Sequence, residues 1–494
     1  MKLDLSGPPP RARTLEEAQK IIDFLWQALR ELKAEFENKI EAQTLEIKEL
    51  KARLAKNSQN SSKPPSSDAL NKPNPKSQRA RSERKTGGQK GHVGVTLEQV
   101  SNPDFIEDHK VHACENCRCS LEGAETMHVE RRQEFEIPPI KVQITEHRAE
   151  VKVCPNCGFE NKAKFPEHIT QPVQYGSRVK AMATYFSQGQ LLPYKRLQEI
   201  FRDIYALPLS EGTLFNINHG CYEQLTWYEE EAKRQIIASE VANLDESGIR
   251  VKKELQWLHV AATPELTYYE IHQKRGAEAM NEIGILPKFK GHAIHDHWKP
   301  YFSYNCKHGL CNAHHLRELT YHAEQYAQTW CEKMRELLLT IKEAVEKSKE
   351  DGRQKLSEEQ INYFCNKFNQ VLKKGAEEIP ILPQTSKKRG REKQHPTKNL
   401  WNRLREYQKE TLAFMYDFSV PFTNNQGERD IRMAKLKQKI SGCFRSQRGA
   451  KIFCRIRGYI STVRKNGFNI LDALTKTFEG NPILPSENCR FDTS

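Results

Sequence analysis

The sequence predicts a multidomain α+β protein, and three observations support this. Apolar residues recur at three- and four-residue steps through the first 54 residues, which predicts a long amphipathic helix. Two C-x-x-C pairs bracket a strand-like stretch, which predicts a small zinc-binding β domain. From residue 239 onward, three strand-like segments precede a helical segment and a further strand. A chain of 494 residues has room for about three domains.

The composition indicates a water-soluble protein with a polyanionic partner. Hydrophobic residues make up 37% and charged residues 29%, and the mean hydropathy is -0.77. The net charge of +14 favours nucleic acid, although an anionic membrane surface would also attract such a chain. We find neither an apolar run of about 18 residues nor an N-terminal signal segment, so we expect a cytoplasmic protein without a membrane partner. Thirteen cysteines, four of them in C-x-x-C pairs, suit metal binding in a reducing compartment.

The first segment predicts an amphipathic helix over residues 15–54. Its apolar seam consists of Ile22, Leu25, Leu29, Leu32, Phe36, Ile40, Ile47, Leu50 and Leu54. The four-residue steps around Phe36 and the polar Gln43 interrupt the heptad, as a stutter does in a coiled coil. We favour self-association into a homo-oligomer, and the alternative is a helix that packs on its own chain.

The segment after this helix is basic and has almost no apolar residues. Nine Lys or Arg stand between Lys56 and Lys90, against only Asp68 and Glu83. This composition predicts a flexible tether that can lie along phosphates through counterion release. A solvated linker without a binding role is the alternative.

The C-x-x-C pairs predict a structural zinc site with the ligands Cys114, Cys117, Cys154 and Cys157. Two residues between cysteines allow a tight turn to place both sulfurs on one tetrahedral ion, and four thiolates leave no open position. The 36 residues between the pairs are long for such a site, and we expect residues 133–153 to form hairpins there. Cys119 and His112 are competing ligands, and reduced thiols without metal are the alternative.

A helical section follows over residues 171–238, with Pro193 and Pro208 separating shorter helices. Two of these helices, the second opened by Ser210, form a candidate helix-turn-helix reader of DNA. Ordinary helix packing explains the same pattern, and we favour it.

From residue 239 the segments SEVANLDESGIRV, QWLHVAAT and LTYYEIHQ predict three strands, GAEAMNEIG a helix and GHAIHDHW a fourth strand. This order begins an RNase H-like fold, in which the first and fourth strands are neighbours. Asp245 lies inside the first strand and Asp296 at the end of the fourth, so both carboxylates are expected at one edge of the sheet. A register slip of one residue would replace Asp245 with Glu246.

Two close carboxylates repel each other unless a cation lies between them, and oxygen ligands favour Mg²⁺ or Mn²⁺. A second ion needs a third acid, for which Glu428 at the start of a predicted helix is the best candidate; Asp430 and Glu318 are alternatives. Two ions can activate a water or a 3'-hydroxyl and stabilise the leaving oxygen of a phosphate ester. Because 132 positions separate Asp296 from Glu428, we expect a helical insertion at residues 320–415, with a basic loop KKRGREK.

A basic stretch adjoins the third acid. Residues 432–465 hold eleven Lys or Arg and no Asp or Glu, which favours a surface for double-stranded DNA over a merely solvated helix face. The candidate contacts are Arg429, Arg432, Lys435, Lys437, Lys439, Arg445, Arg448 and Lys451.

Two further patterns leave alternatives open. A second zinc could use the cluster Cys306, His308, Cys311, His314 and His315. His314-x-x-Arg317 matches the H-x-x-R element of tyrosine recombinases, but Tyr321 and Tyr326 follow too closely to be their distant nucleophile. The non-enzymatic alternative is a zinc-containing, dimeric DNA-binding regulator whose carboxylates are structural.

Several motifs, taken in order, resemble those of the transposases of the insertion sequence 66 family, the large catalytic proteins of bacterial mobile elements. They are NSQNSSKPPSSD, GGQKGH, the double C-x-x-C, LDESGIRV, HDHW, CNAHHLREL and NNQGERDIR, and they cover nearly the whole chain. The resemblance implies a DDE-type catalytic triad at Asp245, Asp296 and Glu428, with cleavage and strand transfer of DNA at element ends and at a target. It also implies small accessory proteins of the same element and a location at the bacterial nucleoid.

The predicted division of the chain has eight parts. They are a coiled-coil helix (1–56), a basic linker (57–95), a zinc-binding domain (96–170), a helical linking or DNA-binding domain (171–238), the first part of an RNase H-like catalytic core (239–319), a helical insertion (320–415), the second part of the core with its basic helix (416–479) and a tail (480–494).

Overall fold

The structure, a computed structural model, describes residues 11–57, 60, 97–380 and 394–483. Nearly all of the predicted basic linker, the basic loop KKRGREK and the end of the tail lie outside the described residues. The chain forms two compact units. The larger unit takes in Met1–Pro75, Ser177–Leu192 and Ile217–Ser494, and the smaller takes in Lys76–Gly176 and Pro193–Asn216.

The N-terminal helix α1 spans Leu15–Leu54, as predicted. The hydroxyl of Thr14 caps it by accepting a hydrogen bond from the backbone N–H of Glu17 at 3.2 Å. Only its last turn packs: Ala52 is buried with Tyr321, whose hydroxyl donates to the Ala52 carbonyl at 2.7 Å. The seam residues from Ile22 to Leu50 are each 44–60% exposed, so this seam does not pack on the rest of the described chain.

The smaller unit has little regular structure. Its strands β1 (Val151–Val153) and β2 (Glu160–Lys162) pair antiparallel. The hairpins predicted for residues 133–153 are wrong apart from β1, since no strand is described at 133–150. Pro138 and Pro139 have no N–H to donate to a ladder, and Ile137 and Ile144 stay 77% and 90% exposed, so this stretch has no apolar face buried.

Five helical segments precede the main sheet. They are α2 (Ser177–Thr184), a π-helix (Tyr185–Gly189), α3 (Tyr194–Tyr205), α4 (Glu211–Gln224) and α5 (Thr226–Ala238). The predicted breaks at Pro193 and Pro208 are confirmed: Pro193 caps α3, and Pro208 lies in the turn to α4. The Ser210 hydroxyl accepts from the Thr213 N–H at 3.0 Å, which stabilises the start of α4.

The main sheet has five strands in the order β5-β4-β3-β6-β7. Their bounds are β3 (Val241–Val251), β4 (Glu254–Ala262), β5 (Thr267–His272), β6 (His292–His295) and β7 (Lys307–Leu310), and helix α6 (Ala277–Ile283) lies between β5 and β6. Strands β3, β4 and β5 form an antiparallel meander, whereas β6 runs parallel to β3 and β7 parallel to β6. The four predicted strands, the helix and the adjacency of first and fourth strands are confirmed; β7 was not predicted.

Helices cover both faces of this sheet. One face buries Val260 and Ile271 against Ile431 of α13 (Asn425–Ser441) and Phe453 of α14 (Gln447–Lys465). The other face buries Leu244 against Met280 of α6 and Ile236 of α5. Helix α15 (Ile470–Phe478) follows α14. Burial on two faces is clearest in β4, whose last five residues, 258–262, are all buried.

Helices make up most of the described part of residues 320–415, where the sequence predicts a helical insertion. It follows α7 (Asn312–Tyr326) and comprises α8 (Thr329–Glu350), α9 (Glu358–Glu378), α10 (Pro396–Glu406), α11 (Gln408–Thr411) and α12 (Ala413–Tyr416). It has its own core around the fully buried Trp330 and Phe368. A Cβ at Gly375 would lie 2.8 Å from the Trp330 ring, so α9 packs closely only because this residue has no side chain. In the part of the chain that is described, no helix is long and apolar enough to cross a membrane.

Candidate active site

Two of the predicted acids lie side by side on the main sheet. Asn243 of β3 is in register with Ile294 of β6, and Asp245 and Asp296 each follow two residues later. The negative charge of Asp296 contributes to raising the pKa of Asp245. The Asp296 carboxylate also accepts from the Trp298 N–H at 2.9 Å, which fixes its orientation just beyond the end of β6.

Asn424 brings the start of α13, which carries the third acid, next to β3. Its side chain accepts from the Asn243 amide at 2.8 Å and donates to the Leu244 carbonyl at 2.7 Å, so the start of α13 is tied to β3 next to Asp245. Glu428 lies in the first turn of α13, and its charge also raises the pKa of Asp245. A Cβ at Gly427 would lie 3.1 Å from the Asn424 amide oxygen, so this contact requires a small residue.

The environment of Asp245 suits a bound cation. Burial, followed by the charges of Glu246, Asp296 and Glu428, raises its pKa well above the ordinary aspartate value. A divalent ion on these oxygens would reverse that effect, because it compensates the repulsion between the carboxylates. The all-oxygen donor set of Asp245, Asp296 and Glu428 fits Mg²⁺ or Mn²⁺.

Each of the three alternative acids already has a hydrogen-bonding or ionic partner. Glu246 is held by the Tyr301 hydroxyl at 2.5 Å and by Arg275 at 2.7 Å. Asp430 pairs with Lys465 at 2.9 Å, and Glu318 pairs with Arg403. Glu246 has different partners from Asp245 because consecutive residues of a strand point to opposite faces of the sheet.

Unsatisfied polar atoms concentrate around the acids. Eleven buried side-chain atoms have no hydrogen-bond partner within the described chain, and five of them belong to this cluster. They are Nε2 of His297, Nδ1 of His314, Nε of Arg317, Nε of Arg403 and Oε1 of Glu428. Their charges interact. Burial lowers the pKa of His314, and the charges of Arg317 and Arg403 lower it further. Burial also lowers the pKa of Arg403, whereas the charge of Asp296 opposes this. Such a concentration is expected where a charged ligand binds.

Sequence reasoning missed Arg403. It lies in α10, 107 positions after Asp296, in a helix whose pattern suggests only packing. No local signal identifies it; the folding-back of the insertion brings it to the site.

The predicted DNA-contacting residues divide into two groups. Six are exposed: Arg429, Arg432, Lys439, Arg445, Arg448 and Lys451. Lys435 and Lys437 are only partly exposed. The first donates to the Gly248 carbonyl, and the second lies 3.9 Å from the Phe444 ring centre, where burial lowers its pKa to about 8. These two lysines fasten α13 rather than face outward.

The two C-x-x-C pairs form matching turns. In each, the first cysteine N–H donates to the carbonyl five residues on, from Cys114 to Cys119 at 3.0 Å and from Cys154 to Phe159 at 2.9 Å. The next-to-last residue of each turn has a left-handed backbone, Arg118 with φ 61 and Gly158 with φ 70. Hydrogen bonding by Cys119, whose sulfur is 2.9 Å away, is the main cause that lowers the pKa of Cys117 to about 7.

Only one group of three or more potential metal ligands has all its ligand atoms within 4.8 Å of one another in the described ranges: Cys311, His314 and Glu428. The four cysteines of the two turns do not form such a group there. Of the five residues of the predicted second zinc cluster, only Cys311 and His314 belong to the group with Glu428. His308 bonds to His295 at 3.1 Å, and His315 to Asn312 at 3.0 Å.

Comparison with known proteins adds the family. A model described as "Transposase IS66 family" matches residues 172–452, which include all three acids and the insertion. A second model, for a family of unknown function (DUF6444), matches residues 7–98. No curated protein matches the chain. Since the first match covers more than half of the 494 residues in the expected order, the chain belongs to the IS66 transposase family.

Proposed function

We propose that the protein is a DDE-type transposase with an RNase H-like catalytic core, which cuts and joins DNA at the ends of an insertion element. The observation that carries the proposal is geometric: the paired part of β3 and β6 ends two residues before Asp245 and Asp296, and Asn424 ties the start of α13, with Glu428 in its first turn, to β3. Asp296 and Glu428 follow Asp245 by 51 and 183 positions along the chain. The strand order β5-β4-β3-β6-β7, with β6 and β7 parallel to β3, supports the fold assignment.

Asp245, Asp296 and Glu428 would hold two Mg²⁺ or Mn²⁺ ions. When bound, such ions activate a water or a 3'-hydroxyl and neutralise the leaving oxygen in phosphodiester cleavage and transesterification. The chain's own contribution is positioning. Asn424 fixes Glu428 beside β3, and the guanidinium groups of Arg317 and Arg403 supply positive charge for the phosphate that undergoes reaction.

Two alternatives make different predictions. A tyrosine recombinase needs an accessible tyrosine, but Tyr321 is buried and donates to the Ala52 carbonyl. A DNA-binding regulator would have no reason to retain unsatisfied charged groups around Asp245. Incubation of the protein with DNA that carries its element's ends separates the three. We expect Mg²⁺-dependent nicking without a covalent protein–DNA adduct; an adduct supports the recombinase, and binding without nicking supports the regulator.

The exposed cations of α13, of α14 and of the loop between them are proposed to hold the DNA backbone. We expect the double variant Arg445→Ala/Lys451→Ala to weaken binding to all sequences alike. It should reduce the slope of log Kd against log salt concentration by about 1.8, since each lost phosphate contact contributes about 0.9. Fluorescence anisotropy over a salt series measures this. Lys409→Ala/Lys476→Ala removes two exposed lysines from outside α13 and α14, and an equal loss of slope in that control would contradict the assignment.

The raised pKa of Asp245 predicts how pH and Mg²⁺ affect stability. In metal-free protein, the protonated carboxyl contributes stability that is fully present below the ordinary aspartate pKa and is lost as pH rises through the raised pKa. We therefore expect Asp245→Asn to raise the Tm of metal-free protein by about 2 °C or more at alkaline pH, and by less at acid pH. Mg²⁺ should raise the Tm of the parent but not of the variant. Scanning calorimetry over a pH series checks this; equal Mg²⁺ stabilisation of both proteins would contradict it.

Three further features are proposed to serve the same reaction. The exposed seam of α1 would pair with a second copy through a coiled coil, which sedimentation equilibrium can measure. Cys114, Cys117, Cys154 and Cys157 would bind one structural Zn²⁺, because each matching turn presents two thiols. Small accessory proteins of the same element and a nucleoid location follow from the family and from DNA as the partner.

A further inference from the structure

Cys311, His314 and Glu428 meet where α7 and α13 begin. Cys311 precedes α7, His314 lies in its first turn, and Glu428 lies in the first turn of α13. The Asn424 N–H donates to the Cys311 sulfur at 3.1 Å, and the Asn312 N–H donates to the Phe422 carbonyl at 3.0 Å. These bonds fix the two helix starts together, so the three side chains are gathered by backbone structure and not by chance side-chain rotation.

The distances between their ligand atoms are close to those of a metal site. All three lie within 4.8 Å of one another. Two ligands of one tetrahedral zinc lie roughly 3.3–3.8 Å apart, so a small contraction would complete the site. His314 Nδ1 is 3.9 Å from Glu428 Oε1, too far for a hydrogen bond, and both atoms are buried without a hydrogen-bond partner in the described chain. One cation between them would satisfy both atoms.

The protonation state of the imidazole suits this use. Burial, with the charges of Arg317 and Arg403, lowers the pKa of His314 to about 3, so the ring is neutral at physiological pH. Neutral imidazole is the form that binds metals. Burial raises the pKa of the Cys311 thiol to about 11, so a metal must displace its proton, as thiophilic ions do.

We propose that Cys311, His314 and Glu428 bind a single thiophilic divalent cation of the Zn²⁺ class next to the Asp245–Asp296 pair, and that its binding withdraws Glu428 from catalysis. Thiolate and imidazole ligands select Zn²⁺ over Mg²⁺, whereas the all-oxygen pair selects the reverse. Three protein ligands leave one coordination position open. The second half of the proposal rests on the proposed function, since it requires Glu428 to be the third catalytic acid; the first half does not.

Zinc content per chain tests the site in the full protein. After loading with Zn²⁺ and desalting, plasma mass spectrometry should find one equivalent fewer in Cys311→Ser and in His314→Gln than in the parent. Cys306→Ser is the matched control, because Cys306 is near in sequence but outside the group, and it should keep the parent's content. Any zinc on the C-x-x-C turns is common to all four proteins. If Cys311→Ser fails to fold, His314→Gln decides; a parent-like content in the folded variants overturns the site.

Cleavage rates test the consequence. Equimolar Zn²⁺ added to a Mg²⁺-supported reaction should slow the parent about tenfold or more, and each variant's rate with zinc is compared with its own rate without it. A weaker effect in Cys311→Ser supports competition for Glu428, and an equal effect contradicts it. If the parent never cleaves DNA with Mg²⁺, the proposed function fails while the zinc contents still decide the site. If the parent cleaves and the zinc contents are equal, only this inference fails.

Discussion

Asp245→Asn is expected to reduce Mg²⁺-dependent strand cleavage about a thousandfold or more, which corresponds to ~4 kcal/mol in the activation barrier. The reason is that the charge of Asp245 interacts with both Asp296 and Glu428. The amide keeps the shape of the side chain but removes a metal-binding charge. Asp296→Asn and Glu428→Gln should cause losses of similar size, and each pair of changes should cost little more than one, because the three residues act as a unit.

DNA binding provides the control for this result. The three variants should bind element ends with a Kd within about threefold of the parent, since their acids are proposed to act on the reacting phosphate and not on the backbone contacts. Gel-based cleavage assays and anisotropy on the same preparations separate the two effects. Full cleavage by Glu428→Gln would mean that another acid completes the site.

Asp430→Ala is expected to lower the free energy of unfolding of the larger unit by about 3–5 kcal/mol, the usual effect of breaking a buried ion pair. The Asp430 and Lys465 side chains are only 9% and 11% exposed. The Asp430 carboxylate also accepts from Gln426 at 3.0 Å and from Ser461 at 3.2 Å. Removing it leaves a buried ammonium group without its counter-charge, and α13 loses its attachment to α14. Urea denaturation followed by circular dichroism measures the change.

A double-mutant cycle provides the check. Lys465→Met alone should also destabilise, and the double variant Asp430→Ala/Lys465→Met should be more stable than the sum of the two losses implies. At a temperature where it stays folded, Asp430→Ala should retain cleavage within about tenfold, unlike Glu428→Gln. Strict additivity would contradict the coupling, and a catalytic loss as large as that of Glu428→Gln would make Asp430 a candidate ligand.

The sequence predicted the sheet well because its strands contain β-branched, aromatic and aliphatic residues and are bounded by turn residues. The segment containing Asp245 was placed as a strand within two residues of its observed start. Because both faces of the sheet are buried, the pattern of these segments could not be mistaken for that of an exposed helix. The prediction failed at residues 133–150, where strand-forming residues occur without a core to cover them. Propensity alone could not reveal that Ile144 would stay exposed.

The candidate site was predictable in its acids but not in its supporting residues. Carboxylates at strand ends and at a helix start can be recognised from their local sequence. Asn424 cannot, because its role depends on a hydrogen bond with Asn243, which lies 181 positions earlier. The role of Arg403 could not be predicted for the same reason, since it depends on how α10 folds back. The Cys311–His314–Glu428 group combines a suspected metal cluster with a suspected catalytic acid, and only spatial proximity could join them.

The attachment of α13 to β3 through Asn424 has a consequence for synthesis. A nascent chain that has passed Asp296 must grow by a further 132 residues before Glu428 leaves the ribosome, which takes about 7–26 seconds. During that interval the emerging polypeptide has both sheet carboxylates but no third acid. Under the proposed mechanism, a product that terminates before Glu428 lacks the third metal ligand, and we expect it not to cut DNA.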